Sequence, residues 1–306
     1  MEETKRIDTA FWQRVIADDY TLPSGYARTA LTQELLRLLG SPDPDLRETV
    51  AYSVLDSWIH RDCYSPSELQ AMAETLLHNL TVGQGEISGD SVFLRSFSLL
   101  ILTEIIYHDL TRPTLPPGGV RPILAEALAY FAAEHDLRGY DLEKGWIHAI
   151  AHSADLFFVL AQHREIGSAD LSNILAAVAS KVAAPVEHVY LYDEETRLVR
   201  AVMAILQRDL LTLDELAHWL QMLYRPEGRI DWDEGFDGAE GGRMVEVVRN
   251  HGETCARHNC RLFLYSLYFQ LRSPGFANLT LVDQPPSLAG VLPLVTEALA
   301  QIRAWC

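Results

Sequence analysis

Basic residues are scarce in this chain. Twenty-five Lys and Arg stand against 42 Asp and Glu, a formal charge of −17 over 306 residues. A field of that sign repels nucleic-acid phosphate and anionic lipid, so neither nucleic acid nor a membrane is expected as a partner. Cysteine is scarce too. Four residues, at 63, 255, 260 and 306, are too few and too irregular for a disulfide framework, and reduced thiols in a cytoplasmic setting are expected. The N-terminal stretch MEETKRIDTAFWQRV is charged and lacks the apolar core of a secretion signal. Long apolar runs are missing as well: the greasiest, Val92 to Tyr107, is interrupted by Arg95 and Glu104 and reads as too short to span a bilayer. There is no Cys-x-x-Cys pair, no P-loop, no dinucleotide glycine fingerprint and no Gly-x-Ser-x-Gly elbow.

What is present is helix signal. Hydrophobic residues make up 48% of the chain, enough for a large core. Apolar positions recur at helical spacing almost throughout, and Ser41-Pro-Asp-Pro and Ser65-Pro66 with Glu68 mark helix starts. Further helices are expected from about Ser24 to Leu39, Ser88 to His108, Val120 to His135, Asp141 to Gln162, Ser168 to Ala184, Asp193 to Arg208, Leu213 to Tyr224, Arg243 to Leu271 and Leu288 to Ala304. Period-two alternation is weak everywhere. Pairing the helices gives units roughly 40 to 55 residues long, the spacing of two-helix solenoid repeats. The expectation is an all-α fold, one domain over 1–306, built as an array of antiparallel helix pairs resembling HEAT or armadillo superhelices.

One glycine-rich acidic break, at about 225–242, separates two helices and reads as a loop or lid. Asp231, Asp233 and Asp237 could offer oxygen to calcium, but Gly235 falls where an EF-hand wants a ligand and Gly242 stands where it wants glutamate. A calcium loop is therefore not expected.

The most informative stretch is Gly145-Trp-Ile-His-Ala-Ile-Ala-His-Ser-Ala-Asp155. If it is helical, His148, His152 and Asp155 at i, i+4 and i+7 share an arc of roughly 60°. Around that polar stripe stand Trp146, Ile147, Ile150 and the run Leu156 to Leu160. A helix greasy nearly all round is buried, so the stripe faces either a wet cavity or internal partners. Two imidazoles one turn apart with a following carboxylate suit a divalent metal. The His-Glu-x-x-His signature of zinc proteases is absent. The competing reading is that the stripe bonds backbone and neighbouring side chains inside the core.

Arg95 is the second anomaly, a guanidinium amid bulky apolar neighbours. Burying it without a partner is costly, and Glu104 lies on the far side of the same helix, so the partner must come from elsewhere. Asp155, Glu143 and Asp90 are candidates, and the alternative role is an anion clamp. Glu194 and Glu195 open a helix where its dipole favours acid, and either could complete a site begun on the His148 helix. His251, Cys255 and His258 repeat the i, i+4, i+7 spacing, but Gly252 and polar neighbours point to an exposed stretch rather than a metal site.

Phe93-Leu-Arg-Ser-Phe-Ser98, Asp136-Leu-Arg-Gly-Tyr140, the Gly145–Asp155 motif and Leu264-Tyr-Ser-Leu-Tyr-Phe-Gln270 together resemble an uncharacterised bacterial family of unknown function. The resemblance covers roughly Phe93 to Gln270. It implies a helical cytoplasmic protein of bacterial origin and supplies no catalytic residues. Two functions follow from the residues. The first is a binding protein whose concave side carries a pocket of Arg95, His148, His152 and Asp155, for a small polar or anionic ligand or a protein partner. The second is a hydrolase in which His148, His152 and Asp155 hold a divalent metal that activates water. No cofactor beyond that metal is expected.

Overall fold

The computed structural model describes residues 7–225, 251–273 and 286–302. The chain divides into two compact units, residues 1–156 and 157–306. Each unit is an assembly of helices packed on helices, which makes the fold all-α.

In the first unit, α1 (Thr9–Ala17) starts where Asp8 accepts a bond from the Phe11 N–H at 2.9 Å. After α2 (Arg28–Leu38) comes a π-helical segment, Asp45–Tyr52, that continues into α3 (Ser53–His60), with the Ser53 N–H reaching the Glu48 carbonyl five residues back. Ser65 and Glu68 form a reciprocal capping box with Pro66 at the first position of α4 (Pro66–Asn79), as the sequence indicates. The central helix is α5 (Ser91–Thr111), packed against α3, α4 and the π-helical segment. The core of this unit includes Trp58, Leu76 and Phe131, all with 1% or less of their surface exposed. At 21 residues α5 is long and apolar enough to cross a bilayer, which corrects the expectation from its interrupted run; 72% of its most apolar window is buried within the protein.

After α6 (Val120–Ala133) the chain departs from expectation. A helix was expected from Asp141, yet β1 (Tyr140–Asp141) and β2 (Gly145–Trp146) form a two-stranded antiparallel hairpin, with Tyr140 opposite Trp146. Asp141 Oδ1 accepts the Glu143 and Lys144 N–H groups, each at 2.9 Å, and this local acceptor closes the turn in competition with helix. Helix α7 (Ala149–Gln162) begins only after His148, and the unit boundary falls inside it.

The second unit contains α8 (Ser168–Val182), α9 (Glu194–Gln207), α10 (Leu213–Tyr224), α11 (His251–Arg272) and α12 (Pro286–Gln301). Helix α11 packs on α8, α9 and α12, and α10 packs on α8 and α12. Thr212 and Glu215 make a second capping box. Buried polar groups pin the connections. Asn259 receives the Tyr190 N–H at 3.1 Å and donates to the His188 carbonyl at 3.0 Å, while the Trp219 indole donates to the Leu175 carbonyl at 2.8 Å. The acidic segment expected as a loop or lid lies, from residue 226 onward, outside the described residues.

Candidate functional site

The polar groups of interest in the first unit are arranged along α5. Near its N-terminal end, the fully buried Arg47 of the π-helical segment stacks over Phe93 and Phe97, 4.1 and 4.8 Å from the ring centroids. Its fork donates to the Ser41 carbonyl at 2.8 Å, to Glu48 Oε1 at 2.5 Å and to the Lys144 and Trp146 carbonyls at 2.6 and 3.3 Å. Arg47 thus ties the hairpin to the helices. Gly145 is required there: its φ is +78°, and a Cβ would stand 2.9 Å from Glu48 Oε1 and 3.2 Å from Arg47 Nη2.

The hairpin delivers His148 and His152. The His148 backbone is left-handed, φ +50°, and its carbonyl accepts the His152 N–H at 2.8 Å. His148 is therefore the residue on which the chain turns into α7, not a member of that helix. The stripe expected at i, i+4 and i+7 of one helix loses its first position, because the Asp141 turn and the hairpin claim the preceding backbone. The two imidazoles still meet, with centroids 5.5 Å apart and rings perpendicular, and Trp146 covers His148 at 4.3 Å. His152 is buried; its Nδ1 lies 2.8 Å from Ser96 Oγ, which also donates to the Ile147 carbonyl. Phe97 meets the His152 ring edge-on at 5.1 Å.

Arg95 finds a partner that the sequence reading did not name. Its Nε and Nη2 make a two-pronged ion pair with Glu134, at 2.7 and 3.1 Å, with both side chains excluded from water. Its Nη1 donates to the Val82 and Gly83 carbonyls and to Ser91 Oγ, at 2.9, 3.0 and 2.8 Å. Asp155, Glu143 and Asp90 are thereby corrected as ion-pair partners: Glu134 sits at the end of α6, which packs beside the α4–α5 pair only in three dimensions. The buried Tyr130 phenol adjoins this pair, and burial, reinforced by Glu134, pushes its pKa well above the usual value.

Toward the other end of α5, Glu104 meets α3 and the π-helical segment. Glu104 Oε2 is 2.9 Å from His60 Nε2, Asp56 Oδ1 is 3.2 Å from the same nitrogen, and the Tyr52 hydroxyl donates to Glu104 Oε1 at 3.2 Å. The hydrogen bonds that His60 donates to Asp56 and Glu104 raise its pKa to about 9. Burial first, and then the Glu104, Asp56 and Asp155 charges, keep the Tyr52 phenol protonated. Half-buried Asp155 therefore acts on this cluster. Among the described residues, the group of three His, Cys, Asp or Glu side chains whose ligand atoms all lie within 4.8 Å of one another is Asp56, His60 and Glu104, not the set built on His148.

The remaining candidates belong to the second unit. Glu194 is buried and accepts the Tyr192 N–H at 2.8 Å; burial raises its pKa, and that of Glu195, above the ordinary glutamate value. Cys255 Sγ lies 3.7 Å from His251 Nε2, and His258 is exposed.

The family model described as a protein of unknown function, DUF2785, matches residues 80–269, more than half of the chain. The chain belongs to the DUF2785 family. No curated protein and no solved structure matches it. The DUF2785 stretch takes in Arg95, Glu104, Glu134, His148 and His152, whereas Arg47, Tyr52, Asp56 and His60 precede it. Sequence reasoning missed Arg47, Asp56 and His60. The available signal was the pair Asp56 and His60, four apart before a break, together with a glutamate left in an otherwise apolar helix.

Also in the first unit, α2, α4 and the start of α5 enclose an open groove of about 670 Å³ lined by Gln33, Leu36, Arg37, Gly40, Thr75, Asn79, Asp90, Ser91 and Leu94.

Proposed function

We propose that this DUF2785 chain is a binding protein and that the groove between α2, α4 and α5 takes a small polar ligand. The observation that carries the reading is the groove itself. Its volume of about 670 Å³ is within the range of small-molecule sites, and it combines apolar Leu36 and Leu94 with donors and acceptors from Gln33, Arg37, Thr75, Asn79 and Asp90. On this reading the residues that stand out in the sequence act from behind the groove. Arg95 holds Ser91, which lines it, and Ser98 receives the Asn79 amide at 3.1 Å. His152 fixes α5 through Ser96, with His148 and Asp155 flanking it.

The net charge of −17 supports a neutral or cationic partner rather than nucleic acid or an anionic membrane, and the few cysteines support a cytoplasmic setting. The spacing of helix pairs supports a HEAT- or armadillo-like array. The test is a thermal-shift screen of the full chain against polar metabolites, with Thr75→Trp as the blocking variant. Thr75 is exposed, so the indole fills the groove without entering the core. A ligand that raises Tm in the wild type and not in Thr75→Trp supports the reading. A screen without a shift, or a shift that persists in the variant, overturns it.

A further inference from the structure

The cluster where α3 meets α5 has a chemistry of its own. Asp56 and His60 stand at i and i+4 on α3, so their side chains reach the same side, and Glu104 approaches from α5. His60 Nε2 is 2.9 Å from one carboxylate oxygen and 3.2 Å from the other. A ring nitrogen carries at most one proton, so a single N–H is divided between two anionic acceptors. A divalent cation that displaces this proton takes the Nε2 lone pair and one lone pair from each of the two carboxylate oxygens.

The spacing fits such an ion. Metal–ligand bonds of about 2.0–2.2 Å at octahedral to tetrahedral angles give ligand–ligand edges of roughly 2.8–3.6 Å; the two separations from His60 Nε2, 2.9 and 3.2 Å, lie inside that interval, and all three ligand atoms lie within 4.8 Å of one another. The surroundings fit as well. Tyr52 donates to Glu104 Oε1 and leaves Oε2 toward the ring, the type of outer contact that orients a ligating carboxylate. The His60, Asp56 and Glu104 side chains are 31%, 36% and 16% exposed, so an ion has a route in and water completes its shell.

We propose that Asp56, His60 and Glu104 form a binding site for a divalent transition-metal ion, with Tyr52 positioning Glu104. One imidazole with two carboxylates is a donor set for Zn²⁺, Mn²⁺ or Fe²⁺. It has too much nitrogen for a calcium cage and no sulfur to select copper(I). The site is distinct from the groove, and neither depends on the other.

The test is titration of the EDTA-treated, dialysed full chain with MnCl₂, following loss of the free-ion signal by electron paramagnetic resonance. Manganese avoids the half-buried thiol of Cys63, which zinc would also sample. The expected result is one equivalent bound, with affinity at least tenfold weaker in both Glu104→Gln and Asp56→Asn and about tenfold weaker in Tyr52→Phe. His251→Ala in the second unit should bind as the wild type does. Circular dichroism establishes folding; should Glu104→Gln fail that check, the half-buried Asp56→Asn decides alone. Absence of binding in the wild type, or wild-type affinity in the folded carboxylate variants, overturns the proposal.

Discussion

Removing the Glu134 carboxylate should be among the most damaging single changes in the first unit. Glu134 Oε2 accepts Arg95 Nε, and Oε1 accepts Arg95 Nη2 together with the His135 and Asp136 N–H groups at 3.0 and 2.9 Å. Glu134→Ala therefore leaves a guanidinium with 0% side-chain exposure facing a void and strips two backbone donors at the end of α6. Breaking a buried ion pair from one side costs about 3–5 kcal/mol, since the remaining charge keeps its desolvation penalty without its attraction. We expect a loss of about 4 kcal/mol, a large fraction of the roughly 5–15 kcal/mol that holds a domain folded. Arg95→Met/Glu134→Leu removes both charges, so the double variant should be more stable than the sum of the single losses allows, by at least about 2 kcal/mol. Urea unfolding followed by far-UV circular dichroism gives the free energies, and hydrogen exchange of α5 and α6 amides assigns the loss to the first unit. A loss below about 1 kcal/mol for Glu134→Ala, or strict additivity in the double variant, refutes the assignment of Arg95 to an internal ion pair.

Three further outcomes follow from the same geometry. Gly145→Ala should destabilise by about 1–3 kcal/mol, because φ +78° is strained for alanine and its Cβ would press on Glu48 and Arg47; a neutral effect in thermal unfolding would show that the hairpin does not need this turn. His148→Val should be about 1–2 kcal/mol less stable than His148→Asn, since asparagine tolerates the left-handed backbone that a β-branched residue resists, and equal Tm values would contradict the turn at His148. In chelator, the His60 network should contribute to stability below pH of about 6.5 and lose that contribution as pH rises through about 9, the sign set by a folded-state pKa raised by Asp56 and Glu104. With the ring partly exposed, solvent screening reduces the contribution to about 1 kcal/mol, read as a stability difference between pH 6 and 10 that His60→Gln should abolish.

Helical periodicity was the legible part. α4, α8 and α10 start and stop close to where caps and apolar spacing place them, because those signals are local: Ser65 with Glu68 and Thr212 with Glu215 are complete within four residues. The hairpin was not legible, because the residues of β1 and β2 carry no alternation and the turn rests on one carboxylate, Asp141, accepting two N–H groups. His148 was misplaced for the same reason. The stripe is a true statement about spacing, but spacing becomes geometry only once the helix start is fixed, and that start is fixed by a left-handed residue that periodicity cannot see.

The partners of α5 illustrate a deeper limit. Arg95 bonds Glu134, Ser96 bonds His152, and Glu104 receives Tyr52, at separations of 39, 56 and 52 residues. Each side chain interrupts an apolar helix and so announces that a partner exists, since burial without one is prohibitive. Which partner is a property of packing: Glu134, 39 residues on, meets Arg95 only because of where the end of α6 lies in the folded unit. The same reasoning separates the two ends of the helix. At Arg95 every guanidinium nitrogen donates to an oxygen of the protein, and that end has a structural role. At Glu104, two carboxylates converge on one ring nitrogen and remain partly open to water. An imbalance of anionic oxygen over donors, at a place solvent can reach, is where a cation improves on what the protein alone provides.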